Sequence, residues 1–260
     1  TEIYTLSLHD ALPICGTTAF SPSTAQARLL VADVNDAPGL DPAAVPVFTA
    51  IDEDAADPAG NTVAQLLASD PAVADPIADP DIGALDGIAV TGTTATAGTW
   101  QMAAPGEAWA PLPPVSGTAA LLLLPEARLR FLPDPAHNNG QTATVTFRAW
   151  DRTSGTAGDR ADASATGGTT AFSTTALTAT LTVTDVNDAP VLDPEPVRFM
   201  PDVTAGTEEP PGSGIAAILG SSSGTDGITD PDVGAVKGIS VSSAGRDRKS
   251  TRLNSSHRIR

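Results

Sequence analysis

Three sequence motifs each occur twice in this chain, and the spacing between the two copies is nearly constant. The copies begin at Gly16 and Gly168 for GTTAFS, at Asp33 and Asp185 for DVNDAP, and at Asp79 and Asp230 for the segments DPDIGALDGIAV and DPDVGAVKGISV. The first two offsets are 152 residues and the third is 151 residues. Three motifs at nearly one period predict tandem copies of one structural unit.

This period divides the chain of 260 residues into three native parts. Residues 16–38 are interpreted as the C-terminal end of a preceding repeat, 39–190 as a complete repeat, and 191–246 as the N-terminal part of the next one. A complete repeat of this length exceeds the roughly 100 residues of a minimal immunoglobulin-like domain. The extra residues are expected in the loop-rich segments 70–86, 103–115 and 152–170.

Both ends of the chain differ in character from the repeats. Thr1–Ile14 reads TEIYTLSLHDALPI and Asp247–His257 reads DRKSTRLNSSH, and both resemble translations of the two adapters ligated to DNA in sequencing libraries. We therefore expect residues 1–15 and 247–260 to be adapter-derived and exclude them from the fold prediction, as is done for any processing segment.

Alternation of apolar residues with threonine predicts strands in the repeat. It is clearest in Thr142–Trp150 and Ala176–Val186, where one face of each strand is threonine-rich. Leu121–Leu124 and Ala127–Leu132 are expected to be two further strands, and Gly87–Trp100 one or two more. Period two with a polar outer face indicates half-buried antiparallel strands, and no segment has a convincing helical period. The sequence therefore predicts an all-β fold of immunoglobulin-like antiparallel β-sandwiches in a linear array.

The charge and residue content exclude several classes of protein. There are 31 acidic and 14 basic residues, giving a net charge of −17, which disfavours binding to nucleic acid. The longest apolar run is Ala119–Leu124, far short of the roughly 18 residues that a membrane span needs. A single Cys excludes a disulfide framework and any cysteine-based zinc cluster.

Acidic residues recur where one predicted sandwich ends and the next begins. Two carboxylates about 4 Å apart repel each other by about 4 kcal/mol at an effective dielectric constant near 20, so clustered acids need protons or a cation. Carboxylate, amide and carbonyl oxygens suit Ca²⁺ better than Mg²⁺, which keeps most of its water. The alternative is ordinary turn chemistry, because Asp and Asn also cap turns through their own backbone.

The motifs resemble those of a known family. DVNDAP, the upstream A-x-D at Ala149–Asp151 and the downstream D-x-D at Asp79–Asp81 resemble a cadherin-like repeat. With GTW, ARLRFLP, TFRAWDRTSGTAG and GTTAFS, the chain resembles more narrowly the tandem cadherin-like repeats of very large bacterial surface and secreted proteins of the adhesin type. The chain departs from the family pattern at Ala37 and Ala189, where the family has a second Asn.

The resemblance implies that Ca²⁺ binds at the junctions between successive repeats. At the first junction the implied ligands are Asp33, Asn35, Asp36, Asp79, Asp81 and Asp151. At the second junction they are Asp185, Asn187, Asp188, Asp230 and Asp232, with Glu53 reaching over from the complete repeat. The resemblance thus implies an extracellular or cell-surface structural and adhesive protein, whose array is stiffened by calcium and whose partners are neighbouring repeats and a cell-surface glycan or protein.

Catalysis is not expected. His137 lies in a predicted turn without a nucleophile motif, and acids at repeat period do not form the single carboxylate pair of a glycosidase cleft. Two other functions stay open. A glycan- or protein-binding module would use Trp109 and the Pro-rich segment Ala110–Pro114, although Trp100, Trp109 and Trp150 are expected to fill the core. The repeat could instead be an accessory spacer of a secreted hydrolase.

Overall fold

The computed structural model describes residues 2–7, 26–135, 140–193, 204, 206, 208, 212–215, 227–236 and 238–242. The chain divides into two compact units, a first unit of Thr1–Thr184 and a second unit of Asp185–Arg260. The elements are β1 Glu2–Ser7, β2 Gln26–Val31, β3 Gly39–Leu40, β4 Ile51–Asp52, β5 Asn61–Thr62, α1 Val63–Leu67, β6 Ile77–Ala78, β7 Ile88–Thr94, β8 Gly98–Ala103, β9 Ala110–Pro111, β10 Ala120–Leu123, β11 Arg128–Pro133, β12 Gln141–Trp150, β13 Arg160–Ala161, β14 Phe172–Thr184, β15 Val191–Leu192 and β16 Ile228–Thr229.

Two sheets of the first unit form the sandwich. A six-stranded sheet has the order β13-β10-β7-β12-β14-β4, and a four-stranded sheet has the order β5-β11-β8-β9. All neighbours are antiparallel except β14 and β4. Between the sheets, the Trp100 ring lies 5.0 Å from that of Phe48 and 5.3 Å from that of Phe131, measured between ring centres. The predicted all-β fold is confirmed.

The alternating segments form the central strands. In β12 the apolar residues from Ala143 to Ala149 are fully buried, and β14 alternates in the same way over most of its length. The two strands pair in register from Gln141↔Val183 to Arg148↔Ala176. The predicted strands at 121–124 and 127–132 correspond to β10 and β11, and Gly87–Trp100 is divided between β7 and β8.

The residues of β7 and β10 do not alternate between buried and exposed, because both faces of these strands are covered at one end. Ala89 and Leu122 point away from the sandwich core into a second apolar cluster with Trp150, Ala163 and Phe172. This cluster is covered by the segment 152–170, one of the places where the sequence predicts extra residues. The segment contains one strand, β13. The extra length therefore buries a second face of the sheet.

One short helix is missed by the strand-only prediction. α1 spans Val63–Leu67 and buries Val63 and Leu66. It begins with a capping box, in which the Thr62 hydroxyl accepts from Gln65 N–H at 3.0 Å and Gln65 Oε1 accepts from Thr62 N–H at 2.9 Å. A single turn is too short for a helical period, but the T-x-x-Q signal was present in the sequence.

Some predictions fall at the edges of what the structure describes. β1 pairs with β2 from Glu2↔Val31 to Ser7↔Gln26. The adapter origin of residues 1–15 stays a prediction. The predicted turn residues Asn138 and Asn139, as well as His137, lie outside the described residues. Among the helices that are described, none is long and apolar enough to cross a membrane.

Candidate metal centre

A short antiparallel pair of strands, β3 and β6, brings the first DVND segment next to the first DPD segment. β3 pairs with β6 through Gly39↔Ala78 and Leu40↔Ile77, and Asp41 N–H donates to Pro76 O at 2.9 Å. In an antiparallel pair, residues that precede one strand lie opposite residues that follow the other. This register therefore places Asp36 opposite Asp81.

The carboxylates beside this strand pair are linked through backbone N–H groups. Asp36 N–H donates to Asp81 Oδ2 at 2.8 Å, and Asp81 N–H donates to Asp79 Oδ1 at 2.9 Å. The other oxygen of Asp79, Oδ2, is buried and has no hydrogen-bond partner among the described residues. A buried carboxylate oxygen without a donor is costly, so this atom suits a cation.

The neighbouring Asn35 ties the DVND segment, here called the linker, to the body of the sandwich. Its Nδ2 donates to Asp151 Oδ2 at 2.9 Å and to Thr170 O at 3.4 Å. Asp151 follows the last residue of β12 and is only 5% exposed. Its other oxygen, Oδ1, accepts from the N–H of Thr153 at 2.8 Å and from its hydroxyl at 2.6 Å. The linker is therefore fixed at both Asn35 and Asp36.

Not every predicted ligand of the first junction joins this network. Asp33 is exposed, and no hydrogen bond connects it to the other candidates within the described part of the chain. Within the described first unit, no three carboxylate oxygens of different residues lie within 4.8 Å of one another. The structure thus brings together Asp36, Asp79 and Asp81 by hydrogen bonds, and separately Asn35 and Asp151.

The second unit contains a strand pair of the same kind. β15 pairs with β16 through Val191↔Thr229 and Leu192↔Ile228. Asp188 N–H donates to Asp232 Oδ2 at 3.0 Å, and Asp232 N–H donates to Asp230 Oδ1 at 3.1 Å. Here Asp232 Oδ1 is the buried oxygen without a hydrogen-bond partner among the described residues. The two carboxylate pairs are hydrogen-bonded alike.

The likeness extends to the flanking turns. Asn35 and Asn187 each donate to the carbonyl of the following Asp, at 3.3 and 3.0 Å. After each DPD segment a glycine has positive φ, 80° at Gly83 and 81° at Gly234. Segments that share a sequence therefore share a local structure in the two units. Asp185 is exposed, and its predicted role as a ligand stays a prediction.

Glu53 is the predicted ligand that comes from the end of β4. It is 3% exposed, and its N–H donates to Thr184 O at 3.0 Å. Glutamate is almost never this deeply buried unless it is paired. Its predicted partners belong to the second unit, so its place in a metal site stays a prediction.

Asp86 is a further acid near the β3–β6 strand pair that the sequence prediction missed. Its pKa is raised above the ordinary value of 3.8, first by burial and then by the negative charges of Asp75 and Asp79. The sequence signal was its position in the repeated segment, where the second copy has Lys237 in place of Asp86. Several acids thus concentrate negative charge around Asp79.

We expect Asp86→Asn to raise the midpoint of thermal unfolding at pH 7 by about 2 °C in the absence of divalent cations. A raised pKa in the folded state means that the ionised carboxylate destabilises the fold above that pKa. The gain should therefore shrink as the pH falls through the raised pKa, and vanish below 3.8, where Asp86 is protonated in both states. Melts between pH 3 and pH 7 measure this, with the exposed-acid variant Glu107→Gln as control; a gain independent of pH would contradict it.

The tryptophans divide between the core and the surface. Trp100 and Trp150 are 7% and 2% exposed, as expected for core residues. Trp109 is partly exposed and packs against the guanidinium groups of Arg128 and Arg130, whose central carbons lie 4.6 and 4.4 Å from the ring centre. The expected core role is therefore confirmed for two of the three.

The candidate metal centre consequently has two similar parts. Each is a short strand pair with Asp carboxylates, an Asn side chain and one buried carboxylate oxygen that has no hydrogen-bond donor among the described residues, which is a donor set that a metal ion could use. Comparison with known proteins adds no assignment: no family model, no curated protein and no solved structure matches the chain.

Proposed function

We propose that the chain is a non-catalytic structural repeat of an extracellular bacterial protein with cadherin-like, adhesive repeats, and that Ca²⁺ at the repeat junctions stiffens the array. The observation that supports it best is the duplicated strand pair with its carboxylates. In both copies a buried carboxylate oxygen, of Asp79 or of Asp232, has no hydrogen-bond donor among the described residues. A structural role explains why the arrangement recurs at repeat period, whereas a catalytic site would be needed once.

The chemistry of the donors favours calcium. The proposed ligands are oxygen atoms of carboxylates and of Asn35 or Asn187, and such hard donors select Ca²⁺ or Mg²⁺ over softer transition metals. Sites with many protein oxygens favour Ca²⁺, because Mg²⁺ retains several waters. In the first unit the ion would be held by Asp36, Asp79 and Asp81, whose carboxylate oxygens would have to move closer together than they lie in this structure. In the second it would be held by Asp188, Asp230 and Asp232.

Stiffening follows from where the ligands lie. Asp36 belongs to the linker and Asp81 to the body of the sandwich, and one hydrogen bond already joins them. An ion shared by both segments would oppose any motion that separates them, because separation would expose an uncompensated charge. Asn35 and the buried Asp151 add a second attachment of the same linker. Loss of the ion would leave mutually repelling carboxylates, and the linker would loosen.

We expect millimolar Ca²⁺ to raise the thermal midpoint of the chain. Extracellular calcium modules have dissociation constants of about 10⁻⁴–10⁻³ M, and at ten times that constant one site adds about 1.4 kcal/mol. For a unit of this size that corresponds to about 3–5 °C. Melts in EDTA, Ca²⁺ and Mg²⁺ measure it, and the shift should be largest with Ca²⁺.

Substitutions then locate the binding. Asp79→Asn combined with Asp81→Asn should remove most of the Ca²⁺-dependent shift of tryptophan fluorescence, because all three tryptophans lie in the first unit. The exposed acid Glu126, in the turn before β11, gives the matched control Glu126→Gln, which should keep the full shift. An equal shift in Mg²⁺, or a full shift in the double variant, would argue for ordinary turns at these motifs.

A further inference from the structure

The outer face of the four-stranded sheet carries two arginines on one strand. Arg128 and Arg130 stand at alternate positions of β11, and the residue between them, Leu129, is buried in the core. Residues two apart on a strand share a face and lie about 7 Å apart. On the neighbouring strand β8, Gln101 lies directly opposite Arg130. This face therefore presents two positive charges at a fixed spacing, in a chain whose net charge is −17.

Trp109 holds both guanidinium groups in place. Their central carbons lie 4.6 Å from the centre of its ring for Arg128 and 4.4 Å for Arg130. The indole also reaches Gly60, where an added Cβ would lie 3.0 Å from the ring carbon Cη2. Gln101 holds Arg130 further, because its Oε1 accepts from Arg130 Nε at 2.8 Å. Guanidinium groups fixed in this way lose little side-chain freedom when they bind an anion.

The two arginines differ in their ionic partners. Asp57 forms an ion pair with Arg130, whereas no described residue forms one with Arg128, which is half-buried. The side chain of Arg130 is 10% exposed and that of Asp57 is 86% exposed, so Asp57 lies on the solvent side of the guanidinium. An ion pair with so exposed a carboxylate is weak, and another carboxylate can displace Asp57. The face therefore already accepts one carboxylate and has a place for a second.

We propose that this face binds an extended acidic segment of a partner protein, with carboxylates at alternate positions. Such carboxylates share one side of an extended chain and have the spacing of Arg128 and Arg130, because both sets repeat at period two. Arg and Trp are also the residues that dominate binding at protein interfaces. A neutral sugar fits less well, because Trp109 stacks on guanidinium groups that a sugar ring would have to displace.

This face is independent of the candidate metal centre. Its residues lie in the first unit, and none of them is a proposed calcium ligand. The net negative charge of the chain does not exclude an acidic partner, because at about 0.15 M salt the Debye length is about 8 Å and more distant acids are screened. Binding should therefore depend on the two arginines and on Asp57, and it should persist in EDTA.

Peptides that differ in the spacing of their carboxylates are the probes. They are blocked at both ends, titrated into the full chain in EDTA at about 0.15 M salt, and followed by ligand-observed NMR. Thr-Glu-Thr-Glu-Thr has its carboxylates at alternate positions, whereas those of Thr-Thr-Glu-Glu-Thr point to opposite sides of an extended chain. Because one ion pair at a surface contributes about threefold in affinity, we expect the alternate peptide to bind about threefold more tightly than the adjacent one. It should bind about tenfold more tightly than Thr-Gln-Thr-Gln-Thr.

Substitutions in the chain then locate the binding. Arg128→Gln and Arg130→Gln should each weaken binding of the alternate peptide about threefold and remove its preference over the adjacent one. Asp57→Asn should tighten binding about threefold, because it removes the competing carboxylate. The matched controls are Arg160→Gln, at an exposed position of the other sheet, and Asp54→Asn, at an exposed position of the loop that carries Asp57. Both controls should leave the affinity unchanged.

Three results would overturn the proposal directly. They are no binding of the alternate peptide at millimolar concentration, equal binding of the two spacings, and an equal effect of Arg160→Gln and Arg128→Gln. Methyl glucuronide, a sugar with one carboxylate, tests the other class of partner. If it binds more tightly than the alternate peptide, the face is a site for acidic glycans and the proposed protein partner is wrong.

Discussion

Phe147→Ala is expected to lower the free energy of unfolding of the first unit by about 3–5 kcal/mol. Phe147 is fully buried in β12, which lies between β7 and β14 in the six-stranded sheet. Removing the ring loses its burial and leaves a cavity that two fixed neighbouring strands cannot close. Guanidinium denaturation followed by tryptophan fluorescence reports this unit alone, because the three tryptophans all lie in it.

Thr182→Ala on β14 is the matched control for this substitution. Thr182 is exposed and pairs with Thr142 on the outer face of the same sheet. Its replacement changes only the strand preference and outer-face contacts, which are worth less than about 1 kcal/mol. Similar losses for the two variants would mean that the inner face of β12 is not the core of the unit.

Asp151→Ala is expected to cost the first unit about 3 kcal/mol. The carboxylate is 5% exposed and accepts hydrogen bonds from Asn35 and twice from Thr153. Its removal would leave these donors without their acceptor in a largely buried place, and hydrogen bonds to a charged group are worth about 1.5–3 kcal/mol each before relaxation. The same guanidinium titration measures the loss.

Asp151→Asn separates the charge of this residue from its hydrogen bonds. The amide oxygen still accepts both hydrogen bonds from Thr153, whereas the amide nitrogen cannot accept the one from Asn35, so most but not all of the stability should remain. If Asp151 also contributes charge to calcium binding, the Ca²⁺-dependent thermal shift should decrease in this variant. Asp162→Ala is the control, because Asp162 is exposed and forms the same kind of turn, accepting from Ser164 N–H at 2.9 Å. A stability loss as large as that of Asp151→Ala in this control would rule out burial as the cause.

The strands were predictable because burial of one face leaves a period-two pattern in the sequence. This holds for β12 and β14, where the threonines stand on the exposed or half-buried face. The period-two pattern is absent from β7 and β10, because their second face is covered by a distant segment that local periodicity does not reveal. The helix α1 was missed for a similar reason, since a single turn is stabilised by its cap and by packing rather than by a repeating pattern.

The candidate metal centre was predictable only in part. DVND and DPD were singled out because they recur, and the structure joins them through Asp36 and Asp81, which lie 45 residues apart. Asp86 was missed, because its raised pKa depends on the nearby charges of Asp75 and Asp79 rather than on a motif. The asymmetry between Asp79 and Asp232, each of which holds the unpartnered oxygen in its own copy, could not have been read from two nearly identical segments.

By itself, the sequence determined the elements that depend on near neighbours: the repeat, the alternating strands, the turns and the places where carboxylates concentrate. Only the tertiary structure decided which distant groups meet. It brought Asn35 to Asp151 across 116 residues and Arg130 to Asp57 across 73 residues. The physical reason is that periodicity and turn chemistry act within a few residues, whereas the partners of a buried charge are set by how the sheets pack and by their register.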